Sequence, residues 1–221
     1  MLAAFTAGLL LITVSELGDK TFFIAVILSM RHSRRLVFTG VTAALAAMTV
    51  LSVILGQAAS LLPQIYITWA EILLFIGFGI KLLYEASQMP AKTECAEAEE
   101  AAAVVEQAEL NLPRTPLKNS ATSVLSLNSP QMAIVFQSFL MTFLAEWGDR
   151  TQFATITLAA SNNAAGVTLG AILGHTICAA IAVLGGRMIA CRISERIMTA
   201  VGGALFLIFG TLALLESVVK S

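Results

Sequence analysis

The chain has 221 residues, of which 57% are hydrophobic and only 12% charged, and its mean hydropathy is +0.86. A soluble domain carries roughly 25% charged residues, so this composition excludes an ordinary water-soluble globule and predicts an all-α integral membrane protein. The formal net charge of −1 argues against a nucleic-acid partner, and three cysteines (Cys95, Cys178, Cys191) without metal-type spacing imply no disulfide framework.

Six transmembrane helices are predicted, at about 2–30, 37–60, 67–86, 131–160, 165–190 and 197–219. The first run has no basic region at its start and continues past any plausible cleavage site, so it reads as a span rather than a signal peptide. At its middle stands Glu16-Leu17-Gly18-Asp19-Lys20-Thr21. Carboxylates halfway through a bilayer are costly, which makes them candidates for a functional site. With Glu at i and Asp at i+3, both acids are expected on one helical face, with Lys20 beside them. Gly18 leaves a gap where a backbone or an ion can approach.

Farther along, Thr68 and Glu71 form a capping-box pattern expected to open the third span. Residues 87–129 are the one long connection. Its first half is acidic (Glu94, Glu97, Glu99, Glu100, Glu106, Glu109) and Ala-rich, and the rest reads as a flexible tether. A solvated linker is the simplest reading; a cation-collecting or regulatory segment is the alternative. Ser129-Pro130 reads as an N-cap followed by proline at the first helical position, opening the fourth span. Ser194 is placed to cap the sixth.

The fourth run carries Glu146-Trp147-Gly148-Asp149-Arg150-Thr151, a second copy of the pattern Glu-x-Gly-Asp-base-Thr, and Asp19 and Asp149 are the only aspartates in the chain. At a constant shift of 130 residues Glu16, Gly18, Asp19, Thr21, Phe23, Gly40 and Gly56 fall on Glu146, Gly148, Asp149, Thr151, Phe153, Gly170 and Gly186. The chain thus divides into a first three-helix repeat (1–86), the linker (87–129) and a second repeat (130–221). Three spans per repeat force the copies into opposite orientations, as inverted repeats. Arginines 31, 34 and 35, and 187, 192 and 196, put loops 31–36 and 187–196 on the cytoplasmic side and both termini opposite. Both motifs then lie near the midplane.

If the motifs meet, Glu16, Asp19, Glu146 and Asp149 converge, with Lys20 and Arg150 offsetting part of their charge. Four acids less two bases leave −2, the charge that one divalent cation or two protons would neutralise. Thr21, Thr151, Gln152 and backbone carbonyls can complete an oxygen shell of the kind that favours Ca2+ or Mn2+, with Mg2+ held back by its tight hydration. A lone motif would read as an interhelical salt bridge, Glu16 or Asp19 pairing with Lys20 or Arg150, whereas two copies at matched depth favour a cation site. His175 is the one histidine within a span and is read as a hydrogen-bonding side chain, with proton relay or Mn2+ binding as the alternative. Glu85 and Glu216, each four residues from a lysine, read as surface pairs, and Glu71 as a capping group. No nucleophile–base pair, phosphate loop or redox motif appears, so an enzyme is disfavoured.

The doubled motif resembles the hallmark of the calcium:cation antiporter-2 family, which includes Golgi, chloroplast and bacterial manganese/calcium exporters. The likeness extends into Phe22-Phe23-Ile24-Ala25, Gly174-His175 and Gly185-Gly186-Arg187-Met188. It implies a six-span inverted-repeat transporter moving Ca2+ or Mn2+ against H+ by alternating access, in a bacterial inner membrane or a Golgi- or chloroplast-type membrane. It also implies that Glu16, Asp19, Glu146 and Asp149 bind the cation, with Thr21, Thr151 and Gln152 as neighbours. No cofactor beyond the transported ions is implied. Phe22 stands where the second repeat has Gln152, so the halves need not contribute equally. A passive cation channel, an exporter of small organic cations and a purely structural membrane subunit are the alternatives. A homodimer, the ranking of Mn2+ against Ca2+ and the proton stoichiometry stay open.

Overall fold

The computed structural model describes residues 1–89, 101–107, 130–190 and 194–220, and these contain helices and no strand. Cys95, Cys191, Ser129 and most of the acidic stretch lie outside the described residues. The helices are α1 (Leu2–Glu16), α2 (Lys20–Arg31), α3 (Arg34–Ala59), α4 (Gln64–Gln88), α5 (Pro130–Ala145), α6 (Arg150–Ser161), α7 (Ala164–Ala190) and α8 (Glu195–Lys220). Among the described residues, four helical stretches are long and apolar enough to cross a membrane: Arg34–Ala59, Gln64–Gln88, Ala164–Gly185 and Arg196–Val219.

The first and fourth predicted spans are each broken at the motif. Gly18 and Gly148 adopt φ of 85° and 83°, a left-handed conformation that glycine accepts without penalty and that ends an α-helix. The expectation that Glu16 and Asp19 share one helical face is therefore corrected. Glu16 ends α1, and Asp19 is the N-cap of α2. The halves nevertheless run on in one direction. Along α7, Gly166 lies against Met1 and Ala4 and Gly174 against Leu9 and Thr13, and farther on Cys178 and Ala179 share a cavity with Phe22 and Ala25 of α2. Fifteen and twelve residues at about 1.5 Å each give roughly 40 Å of helix, enough for one interrupted crossing.

A second correction concerns α4. It begins at Gln64 behind Pro63 rather than at Thr68, because proline supplies the fixed φ of a helix start and cannot continue a helix behind it. Thr68 instead returns its hydroxyl to the Gln64 carbonyl at 3.0 Å. Glu71 is thus no capping group but a buried side chain, 8% exposed. Pro130 opens α5 and Ser194 immediately precedes α8.

The packing follows the repeat. A Cβ on Gly170 of α7 would overlap the Phe5 carbonyl and crowd the Leu9 amide of α1. One on Gly40 of α3 would meet the Val135 carbonyl and the Phe139 amide of α5, each of these positions shifted by 130. Gly56 of α3 abuts Ile156 and Ala159 of α6, and Gly79 and Gly203 bring α4 and α8 together. Phe75, Phe78 and Phe206 fill that last contact with edge-to-face rings. A separate apolar cluster joins Phe22, Leu28, Val37 and Val41 to Met141 and Ala182. Ala101 and Val105, on the helical segment 101–107, are fully buried in it.

Candidate functional site

Each helix break gathers the same groups. The C-terminus of α1 delivers Glu16 and the N-terminus of α2 delivers Asp19 and Thr21. The end of α5 delivers Glu146, and the start of α6 delivers Asp149 and Thr151. The open amides at the starts of α2 and α6 carry partial positive charge, which favours acids at those positions. Thr21 donates its hydroxyl to Glu16 Oε2 at 3.0 Å and Thr151 to Glu146 Oε2 at 3.3 Å. Each glutamate keeps its Oε1 buried and without a hydrogen-bond partner. Both are acids almost wholly removed from solvent, at 3% and 1% exposure.

The repeats meet here. Glu16, Asp19 and Asp149 each bring a carboxylate oxygen within 4.8 Å of the other two. Glu146 lies close enough to act electrostatically on Glu16, without belonging to that group of three. All four predicted acids are therefore in one region, three of them in mutual ligand range.

The two aspartates are used differently. Asp149 caps α6, accepting from the Thr151 amide at 3.5 Å and lying 3.2 Å from the Thr151 hydroxyl, whose single proton is shared between Asp149 and Glu146. Asp19 makes no side-chain cap; its Oδ1 accepts from Arg150 Nη2 of the other repeat at 3.2 Å. Gln152 turns its carbonyl to the Gly148 amide at 2.8 Å and its amide to the Met48 sulfur at 3.2 Å. It supports the second break, a task for which Phe22 offers no equivalent group. Lys20 is half-buried at the first turn of α2.

Two small cavities reach the acids. One, of about 20 Å3, is lined by Ser15, Gly18, Asp19, Arg150, Thr199 and Gly202, with Leu17, Leu82 and Met198. The other, of about 10 Å3, runs from Glu16 and Thr21 past Phe22, Ala25, Val41 and Leu45 to Cys178 and Ala179. Each has room for about one water molecule. His175 is buried on α7 with Nδ1 unpartnered. Lys81 and Glu85 form an exposed pair at 3.6 Å, and Glu216 is also exposed.

The chain is similar to known proteins over nearly its whole length. The family model described as divalent cation/proton antiporter GDT1 matches residues 4–90 and 134–221. A GDT1-like protein of Synechocystis is 54% identical over 213 residues, covering 96% of this chain and 97% of its own. GDT1-like protein 5 of Arabidopsis thaliana is 40% identical, covering 99% and 98%. The chloroplastic PAM71-homolog of the same plant is 39% identical over 94% of this chain and 58% of its own. No solved structure matches the chain. With both motif-bearing halves inside the matched residues, the chain belongs to the GDT1 family of divalent cation/proton antiporters, integral membrane transporters rather than enzymes.

Proposed function

We propose that this chain exchanges Mn2+ or Ca2+ for protons by alternating access, at a site formed by Glu16, Asp19 and Asp149 with Glu146 beside them. The observation that carries this reading is the convergence of three carboxylates from both repeats within 4.8 Å. Ionised together in a poorly solvated site, they repel one another until a dication or protons neutralise them. Occupation by one then expels the other, which is the elementary condition for antiport. Three carboxylate oxygens in mutual range suit a hard cation.

The interrupted pairs α1–α2 and α5–α6 count as one crossing each, giving six spans in two inverted repeats. Half-helix ends pointing at a midplane site are a recurrent arrangement in secondary transporters. The arginines at 31, 34 and 35 assign that face to the cytoplasm, with both termini opposite.

The test is Mn2+ or Ca2+ uptake into everted vesicles, with a pH-sensitive dye following protons. Asp19→Asn and Asp149→Asn should each abolish coupled flux while the purified variants still melt cooperatively. Undiminished exchange in both would remove the aspartates from the mechanism, and flux indifferent to an imposed pH gradient would indicate a passive channel.

A further inference from the structure

The Arg150–Asp19 contact has a consequence for which ions the site accepts. Arg150 begins α6, yet its guanidinium reaches 131 residues back to Asp19 of the first repeat, at 3.2 Å. Asp19 is one of the three acids in mutual ligand range. The side chain of Asp19 is 5% exposed and that of Arg150 24%. A guanidinium is permanently charged and is more weakly hydrated than an ammonium, so it can stand in a poorly solvated site as a cation in its own right. A dication at Asp19 would face that positive charge at close range, so the guanidinium and a metal ion compete for the same carboxylate.

Beside this contact lies the cavity of about 20 Å3 that Asp19 and Arg150 both line. Its α8 wall includes Gly202, where an added Cβ would meet no atom within 4 Å. The void holds about one water and Gly202 adds no side chain to its wall, so the packing on that side is loose enough for the guanidinium to shift a short way off Asp19 when that carboxylate is taken.

We propose that Arg150 is a tethered counter-cation: it holds Asp19 when no metal is bound and is displaced by a divalent ion, and this displacement sets the site's selectivity. The inference rests on the cation site proposed above. Exchanging a guanidinium for Na+ or K+ replaces one positive charge by another among the same acids and gains nothing in charge. A dication brings a second charge, enough to drive the arginine off. Arg150 thereby weakens divalent binding, which favours release, and excludes monovalent ions, which would otherwise compete at cellular concentration.

The experiment measures Mn2+ binding to the purified full chain by equilibrium dialysis at fixed pH, with either NaCl or choline chloride as the salt. In Arg150→Gln, Mn2+ should bind about tenfold tighter in choline, and Na+ should compete. In the native chain and in Arg150→Lys, Na+ should have little effect. Equal or weaker binding by a folded Arg150→Gln, with no Na+ competition, would overturn the proposal and leave Arg150 a structural tie. Gly202→Leu gives an independent arm that leaves the contact intact. By filling the space for withdrawal it should weaken Mn2+ binding several-fold at an unchanged melting temperature, and unchanged binding would overturn the proposal even if Arg150→Gln does not fold. Failure of the underlying site is a different result: the native chain would bind no Mn2+, or Asp19→Asn would bind it equally well.

Discussion

Thr21 ties the two halves of the first interrupted helix together, donating its hydroxyl across the break to Glu16 at 3.0 Å. Thr151 makes the corresponding bond to Glu146 at 3.3 Å. Replacing Thr21 by Val keeps the shape but strands a buried carboxylate oxygen, which costs about 1–3 kcal/mol. Thr21→Val should therefore lower the melting temperature and Thr21→Ser should restore it. Differential scanning fluorimetry in detergent reads both, and a Val variant as stable as the native chain would show that the bond contributes nothing.

The breaks themselves are testable at Gly148. Its φ is +83° and a Cβ there would touch nothing within 4 Å, so an added side chain meets a backbone penalty and no clash. Gly148→Ala should cost about 1–2 kcal/mol, with Gly148→Asn recovering part of it because asparagine tolerates left-handed backbone. Thermal unfolding of the two variants separates this account from one based on packing, in which the larger Asn would be worse.

Gly170 presents the opposite case. Its conformation is ordinarily helical, but a Cβ would overlap the Phe5 carbonyl. Gly170→Ala should destabilise by about 1–3 kcal/mol through overpacking. Gly77→Ala, where a Cβ meets nothing, should be neutral or mildly stabilising through helix propensity. The paired melts make the comparison, and equal effects would exclude a packing role for Gly170.

Protons and metal compete for the same oxygens, so Mn2+ binding should weaken as the pH falls. The expected slope is about tenfold in Kd per pH unit for each proton expelled. Calorimetry in two buffers of different ionisation enthalpy counts those protons directly. Glu146→Gln removes one carboxyl group that acts electrostatically on Glu16 and should flatten the slope. A Kd independent of pH would separate metal binding from proton exchange.

Much of this was readable from residue order. The shift of 130 residues reappears in the structure as matched helix bounds, α2 (Lys20–Arg31) on α6 (Arg150–Ser161), and as the matched contacts of Gly40 and Gly170. The convergence of the acids also followed from the doubled motif. The helix breaks were missed because an isolated glycine in an apolar run is compatible with a continuous helix, and only the backbone dihedral reveals the stop. In hindsight, glycine flanked by two acids and a base is a signal for it. Thr68 was misread as a cap because a capping box can occur inside a helix, whereas Pro63 was the stronger start signal. Burial of Ala101 and Val105 was masked by the glutamates on either side, although Ala101-Ala102-Ala103-Val104-Val105 is itself an apolar run. The link from Arg150 to Asp19 was one of the pairings open to an interhelical salt bridge, Glu16 or Asp19 with Lys20 or Arg150, and tertiary geometry selects it.

The glycine seams join α1 to α7, α3 to α5 and α6, and α4 to α8, each time a helix from one half of the chain with a helix from the other. The halves are interleaved like clasped fingers, so neither owns a complete interior. A fragment ending near residue 89 should remain protease-sensitive alone and become resistant when co-produced with residues 130–221. The same interleaving bears on the proposed alternating access: swinging one half as a block past the other would break every one of these glycine contacts at once. Under the alternating access proposed above, the moving bodies are expected to be mixed assemblies, such as α1 travelling with α7.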